Sequence, residues 1–96
     1  MKHFIVEVTY VAPLEKIDAA LADHRAFLQK GYDAGMLLCS GPQNPRTGGV
    51  IVAKSESLET LKEFFAADPY QTRGLANYRF VEFTPVKRQA FLDSWI

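Results

Sequence analysis

Two side chains in this chain have the type and setting to move a proton. His24 lies in the stretch ADHRAFLQKG. At 100° per residue the apolar Leu14, Ile17, Leu21 and Leu28 fall on one helical stripe, and His24 falls on it too, about 40° from its centre. Asp68 lies in AADPYQTRGL, directly before Pro69. A second helix ending there and packing beside the middle of the first would let the Asp68 carboxylate accept a hydrogen bond from one imidazole nitrogen. That contact would fix the tautomer and leave the other nitrogen as an acid or base. Each residue also has a purely structural account. Asp68 followed by proline is a favourable start for a short helix, Pro69 to Arg73 closed by Gly74, and a partly buried histidine is satisfied by a backbone carbonyl.

Other chemistries are poorly supplied. Ser40 with His24 and Asp68 has the residue types of a hydrolytic triad, but the serine lacks the G-x-S-x-G turn that exposes a nucleophile. The segment Ser40, Gly41 and Pro42 instead reads as the end of a strand at a pocket rim, where glycine lets a ligand approach the backbone. Arg46 and Arg73 are solvated charges unless a cleft mouth brings one of them to an anionic substrate. Two histidines and one cysteine without tight spacing give no metal site, and neither a G-x-G-x-x-G nor a phosphate-binding loop supports a nucleotide cofactor, so no cofactor is expected. Cys39, inside an apolar strand, reads as inert packing.

The elements that would carry these residues follow from periodicity. Phe4, Val6, Val8 and Tyr10 alternate with their neighbours as a strand does, until Pro13. The apolar stripe predicts a helix from Leu14 to about Ala34, closed by Gly35. MLLCSG and GGVIVAK are short strands joined by a loop rich in proline and glycine, and they predict a hairpin. Ser57 is placed to cap a second helix carrying Leu58, Leu61 and Phe65, and NYRFVEFTPV reads as the last strand. The resulting order, βαββαβ, predicts an α+β ferredoxin-like antiparallel sheet with two helices on one face.

That sheet has too much apolar surface for two helices to cover. Every strand carries apolar residues of both parities, Ile5 and Val11 as well as Phe4, Val6 and Val8, whereas a half-solvated sheet shows a polar outer face. The pattern predicts a homodimer through the open sheet face, with the tail, residues 87–96, reaching the partner through Phe91, Trp95 and Ile96. Composition agrees with one compact domain: 96 residues, 48% of them hydrophobic and 12% aromatic. A chain of this size buries only about 60–70% of its unfolded surface and benefits from a partner. Eleven basic residues balance eleven acidic ones, so the field that attracts nucleic acid or anionic lipid is missing. No apolar run is long enough to span a membrane. With a single cysteine and no secretory pattern, a cytoplasmic protein is expected.

Four short pieces in order, His24 on the first helix, LLCSGP with Ser40, Gly41 and Pro42, RTGGVIVA, and ADPY with Asp68 and Pro69, resemble the YciI-like family over residues 1–86. The resemblance implies a dimeric α/β barrel and a site centred on His24 and Asp68 in a pocket beside the sheet. In fold it is also similar to muconolactone isomerases. A few relatives act on chlorinated products of aromatic degradation, which makes a small-molecule ligand the expected partner. Tyr70 stands where such sequences often have phenylalanine and adds a hydroxyl near that site. Two functions remain open at this point: a cofactor-independent enzyme using His24 and Asp68 for proton transfer on a small cyclic or aromatic substrate, as an isomerase, lyase or dehalogenase; or a non-catalytic dimeric module that binds a small apolar ligand or serves as an accessory domain.

Overall fold

A computed structural model describes residues 1–96. Its elements are β1 (Lys2–Tyr10), α1 (Leu14–Asp33), β2 (Leu37–Pro42), β3 (Gly48–Ser55), α2 (Leu58–Phe65), the single turn α3 (Pro69–Thr72) and β4 (Ala76–Phe83), followed by a 3₁₀ turn at Ala90–Leu92. The four strands form one sheet in the order β2-β3-β1-β4, antiparallel at every pairing. Helices pack on one face, as the βαββαβ order predicts.

Strand alternation decides what each face carries. Phe4, Val6 and Val8 of β1 and Ile51 and Ala53 of β3 point to the helices and are buried against Ile17, Leu61 and Phe65. Burying each such side chain contributes about 1.5–3 kcal/mol. The opposite face shows half-buried Ile5, Val50, Val52 and Val81, with Phe83 exposed. Glu7 and Arg79, neighbours across β1 and β4, form an ion pair on it at 3.1 Å.

Local chemistry places the boundaries. Gly35, at φ 72°, takes the left-handed conformation that ends α1, which glycine adopts at no steric cost. The Ser57 side chain accepts from the Thr60 amide at 3.1 Å and starts α2. At Gly48 a Cβ would stand 1.8 Å from the Val8 carbonyl oxygen, so the approach of β3 to the end of β1 requires a residue without a side chain.

Three expectations need correction. Leu14 is 44% exposed; the buried stripe of α1 is Ile17, Ala20, Phe27, Leu28 and Gly31, which moves its centre onto His24. Cys39 is exposed. A register shift between Leu37 and Cys39 sets it opposite Val52, on the face away from the helices. β4 stops at Phe83 and does not continue to Val86, because Phe83 already pairs with His3 near the start of β1.

After β4 the chain folds back on the same molecule. The Trp95 indole donates to the Gly35 carbonyl at 3.1 Å and meets the His3 ring edge-on, with centroids 5.8 Å apart. Lys54 donates to the Trp95 carbonyl. Trp95 thus has contacts within its own chain, while Phe91 is 78% exposed.

Candidate active site

Asp68 is the pivot. The loop after α2 turns into α3, and Asp68 caps it: Oδ1 accepts from the Tyr70 amide at 3.1 Å, with Pro69 at the first helical position. The same oxygen accepts from His24 Nδ1 at 2.8 Å, and Oδ2 accepts from the Tyr78 hydroxyl on β4. The structural and the chemical accounts of Asp68 therefore describe one carboxylate. Its side chain is wholly buried, where an unpaired charge would be prohibitive; three donors from α1, α3 and β4 compensate it.

The network also assigns the imidazole proton. An ionised carboxylate can only accept, so Nδ1 carries hydrogen and the neutral ring presents a bare Nε2. Nε2 has no hydrogen-bond partner in the chain, and the side chain, 12% exposed, lines a cavity. The Tyr70 ring stacks on the imidazole with centroids 3.9 Å apart and planes 6° from parallel, fixing the ring against rotation. Burial, with neighbouring Tyr10 next in weight, pushes the Tyr70 hydroxyl up to about 12. Burial and the hydrogen bond to Asp68 push the Tyr78 hydroxyl far above the usual tyrosine value. Both phenols stay protonated at neutral pH, and Tyr78 is held as a donor.

The cavity measures about 350 Å³, at the small end of ligand pockets. Val8, Leu21, Leu28 and Ile51 make its apolar floor, and Ser40, Gly41 and Pro42 lie at its β2 rim. Arg25 and Arg46 also line it. Arg46 reaches Asp18 at 2.6 Å, which raises its already high pKa, and its guanidinium lies 5.9 Å from the Tyr10 ring centroid. The structure thus brings together His24, Asp68, Ser40, Gly41, Pro42, Arg46 and Tyr70. Ser40 is bonded to the Tyr32 hydroxyl at 2.6 Å and not to His24, so the hydrolytic triad is not assembled. Arg73 pairs with Asp23 at 2.7 Å outside the cavity, which removes it from the cleft mouth. No three His, Cys, Asp or Glu side chains converge.

Two residues of this site escaped the sequence reading. Tyr78 shares its parity with Phe80, but that its hydroxyl meets Asp68 depends on the β1–β4 register that sets it beside Val8. Arg25 follows His24 directly and lies four residues after Leu21, a spacing that puts it on the flank of the same stripe.

The model of the YCII-related domain matches residues 1–84. Protein YciI of Escherichia coli O6:H1 strain CFT073 is 35% identical over 85 residues, covering 78% of this chain and 85% of the relative; protein YciI of Shigella flexneri matches to the same extent. Among solved structures, 5-chloro-2-hydroxyhydroquinone dehydrochlorinase from Burkholderia phenoliruptrix AC1100, in complex with 2,5-dihydroxybenzoquinone, superposes with a TM-score of 0.69. It is 19% identical, and the match covers 88% of this chain and 92% of that one. That likeness is one of fold.

Proposed function

The chain belongs to the YCII-related family, and from that premise we propose that it is a small enzyme in which His24 and Asp68 transfer a proton on a small cyclic or aromatic substrate. The observation that carries the proposal is the hydrogen bond from His24 Nδ1 to buried Asp68, with Nε2 left free at a cavity of about 350 Å³. In this reading Nε2 takes a proton from a C–H or O–H of the bound ring, and Asp68 stabilises the imidazolium that forms. Returning that proton to a second ring position is an isomerisation. If a halide leaves instead, the electron pair of the broken C–H bond forms the new double bond as the carbon–halogen bond breaks, and His24 later gives its proton to water. The dehydrochlorinase of like fold, whose named substrate and bound quinone are single rings, supports this class of substrate.

The proposal includes a homodimer through the sheet face that carries Ile5, Val50, Val52 and Val81, apolar surface of the kind that marks an interface. It also includes action in the cytoplasm, which the lone, exposed thiol of Cys39 favours. The test is turnover of a panel of hydroxylated and chlorinated single-ring compounds by the wild type and by His24→Ala, with circular dichroism to verify folding. Turnover by the wild type is expected, lowered at least about 100-fold in His24→Ala; equal turnover in a folded His24→Ala overturns the proposal.

A further inference from the structure

The cavity beside His24 is asymmetric in charge. Its lining contains two guanidinium groups and no acidic side chain. Arg46 uses Nη2 on Asp18 and keeps further N–H donors, since a guanidinium has five. Arg25 is exposed and pairs with no carboxylate of the chain. Asp18 thus offsets one of the two charges, and the ionised Asp68 lies buried behind the His24 ring, so Arg25 leaves the mouth itself with a cation that no carboxylate contacts. Tyr70 adds no negative charge, because burial keeps its phenol protonated up to about pH 12. The floor beneath is aliphatic, formed by Val8, Leu21, Leu28 and Ile51. An apolar floor with cations at its rim suits a flat ring that carries an anionic group at one edge.

We propose that this site selects single-ring substrates bearing an ionised oxygen group, a carboxylate or phenolate, which Arg25 and Arg46 hold at the cavity mouth while the ring lies against His24. The inference rests on the proton-transfer reading for the role of His24, but the anion contact uses different residues. It assigns specificity to the arginines: Arg25 supplies an uncompensated charge, and Arg46, held by Asp18 and by the face of Tyr10, supplies a fixed direction. Fixing the charged edge sets which ring atoms face Nε2, so the arginines determine position as well as affinity.

Benzoate and its neutral analogue benzamide, titrated into the full chain and followed by amide NMR shifts at Ser40, Gly41 and Gly49, separate charge from shape. Benzoate is expected to shift these amides and to bind at least fivefold more tightly than benzamide. Arg25→Gln and Arg46→Gln are each expected to weaken benzoate severalfold more than benzamide and so to reduce that preference, and added salt to weaken benzoate more than benzamide. Equal binding of the two probes overturns the inference, as does binding of neither at millimolar concentration or a preference that survives both arginine changes. His24→Ala keeps the preference if the arginines hold the anion; its collapse in that variant alone assigns the anion to the imidazole and overturns the inference too. The two readings fail separately. An absence of turnover beside an intact benzoate preference removes the enzyme and keeps the anion site. Histidine-dependent turnover of neutral and anionic rings alike does the reverse.

Discussion

The molecule has two histidines, and their surroundings are opposites. His24 has a buried carboxylate on one nitrogen, a parallel tyrosine ring on its face and a cavity at the other nitrogen. His3, on the far face of the sheet under Trp95, is 7% exposed and has a buried Nε2 without a partner. Its charged neighbours are the N-terminus, Lys54 and Arg88, and these cations add to burial in lowering its pKa. One environment sets a carboxylate on the ring and the other surrounds the ring with cations. Burial alone therefore does not separate the two histidines; what sits on their ring nitrogens does.

Exchanging the two histidines for inert residues is the strongest way to break this contrast. His24→Ala is expected to lower turnover by about 10²–10⁴-fold, the usual contribution of a positioned acid or base, whereas His3→Gln leaves turnover at the wild-type level. Steady-state rates on one substrate decide it, and a loss as large in His3→Gln would end the distinction. Asp68→Asn comes next. Asparagine still caps α3 but no longer enforces Nδ1–H, so about a 10²-fold loss of turnover is expected, with a change in the imidazole ¹⁵N shifts that report the tautomer. A full rate with an altered tautomer would leave Asp68 as a cap only.

Tyr78→Phe sharpens the comparison from the side of the carboxylate. It removes one of three donors to a buried charge, a bond of the class worth about 1.5–3 kcal/mol. Chemical denaturation should show a loss in that range. An unchanged midpoint would mean that water or another donor replaces the hydroxyl.

How much of this was legible depends on whether the partner is near in sequence. The Asp68 cap, Pro69, the Ser57 cap and the Gly35 helix end are local chemistry, and the sequence shows each of them. The βαββαβ order was readable because each strand alternates and each helix has a stripe. The His24–Asp68 contact spans 44 positions; periodicity could offer it only as a conditional, since the α1–α3 packing comes from the tertiary fold. Tyr78 was lost for the same reason, as its place depends on strand register. Leu14 and Cys39 were misplaced because a stripe centre and a bulge shift sides by one residue, which the apolar pattern alone does not resolve.

Trp95→Ala tests the other half of the contrast. It removes an N–H donor to the Gly35 carbonyl and the edge-on contact with His3. Each is worth about 1 kcal/mol or less at a half-exposed site. The expected loss of about 1 kcal/mol lowers Tm by about 4–8 °C in a domain of this length. Turnover should not follow it, because the tail lies on the opposite face of the sheet from the His24 cavity.

The smallest expected effect is the most specific to His3. Its pKa in the folded chain lies below the ordinary 6.5 because burial, the N-terminus, Lys54 and Arg88 all disfavour the charged ring. Between that lowered value and 6.5 the unfolded chain binds the extra proton and the folded chain does not, so stability rises with pH across the window and falls as pH drops below 6.5. Above 6.5 the ring is neutral in both states and contributes no slope. Subtracting the stability of His3→Gln from that of the wild type at pH 7.5, 6.5, 5.5 and 5.0 isolates this group from the carboxylates that also titrate. The difference is expected to be flat down to about 6.5 and then to turn against the wild type. In a Trp95→Ala background water reaches the ring, burial no longer dominates, and the turn should shrink. A turn of undiminished size there would mean that the three cations, and not the indole, set the behaviour of His3.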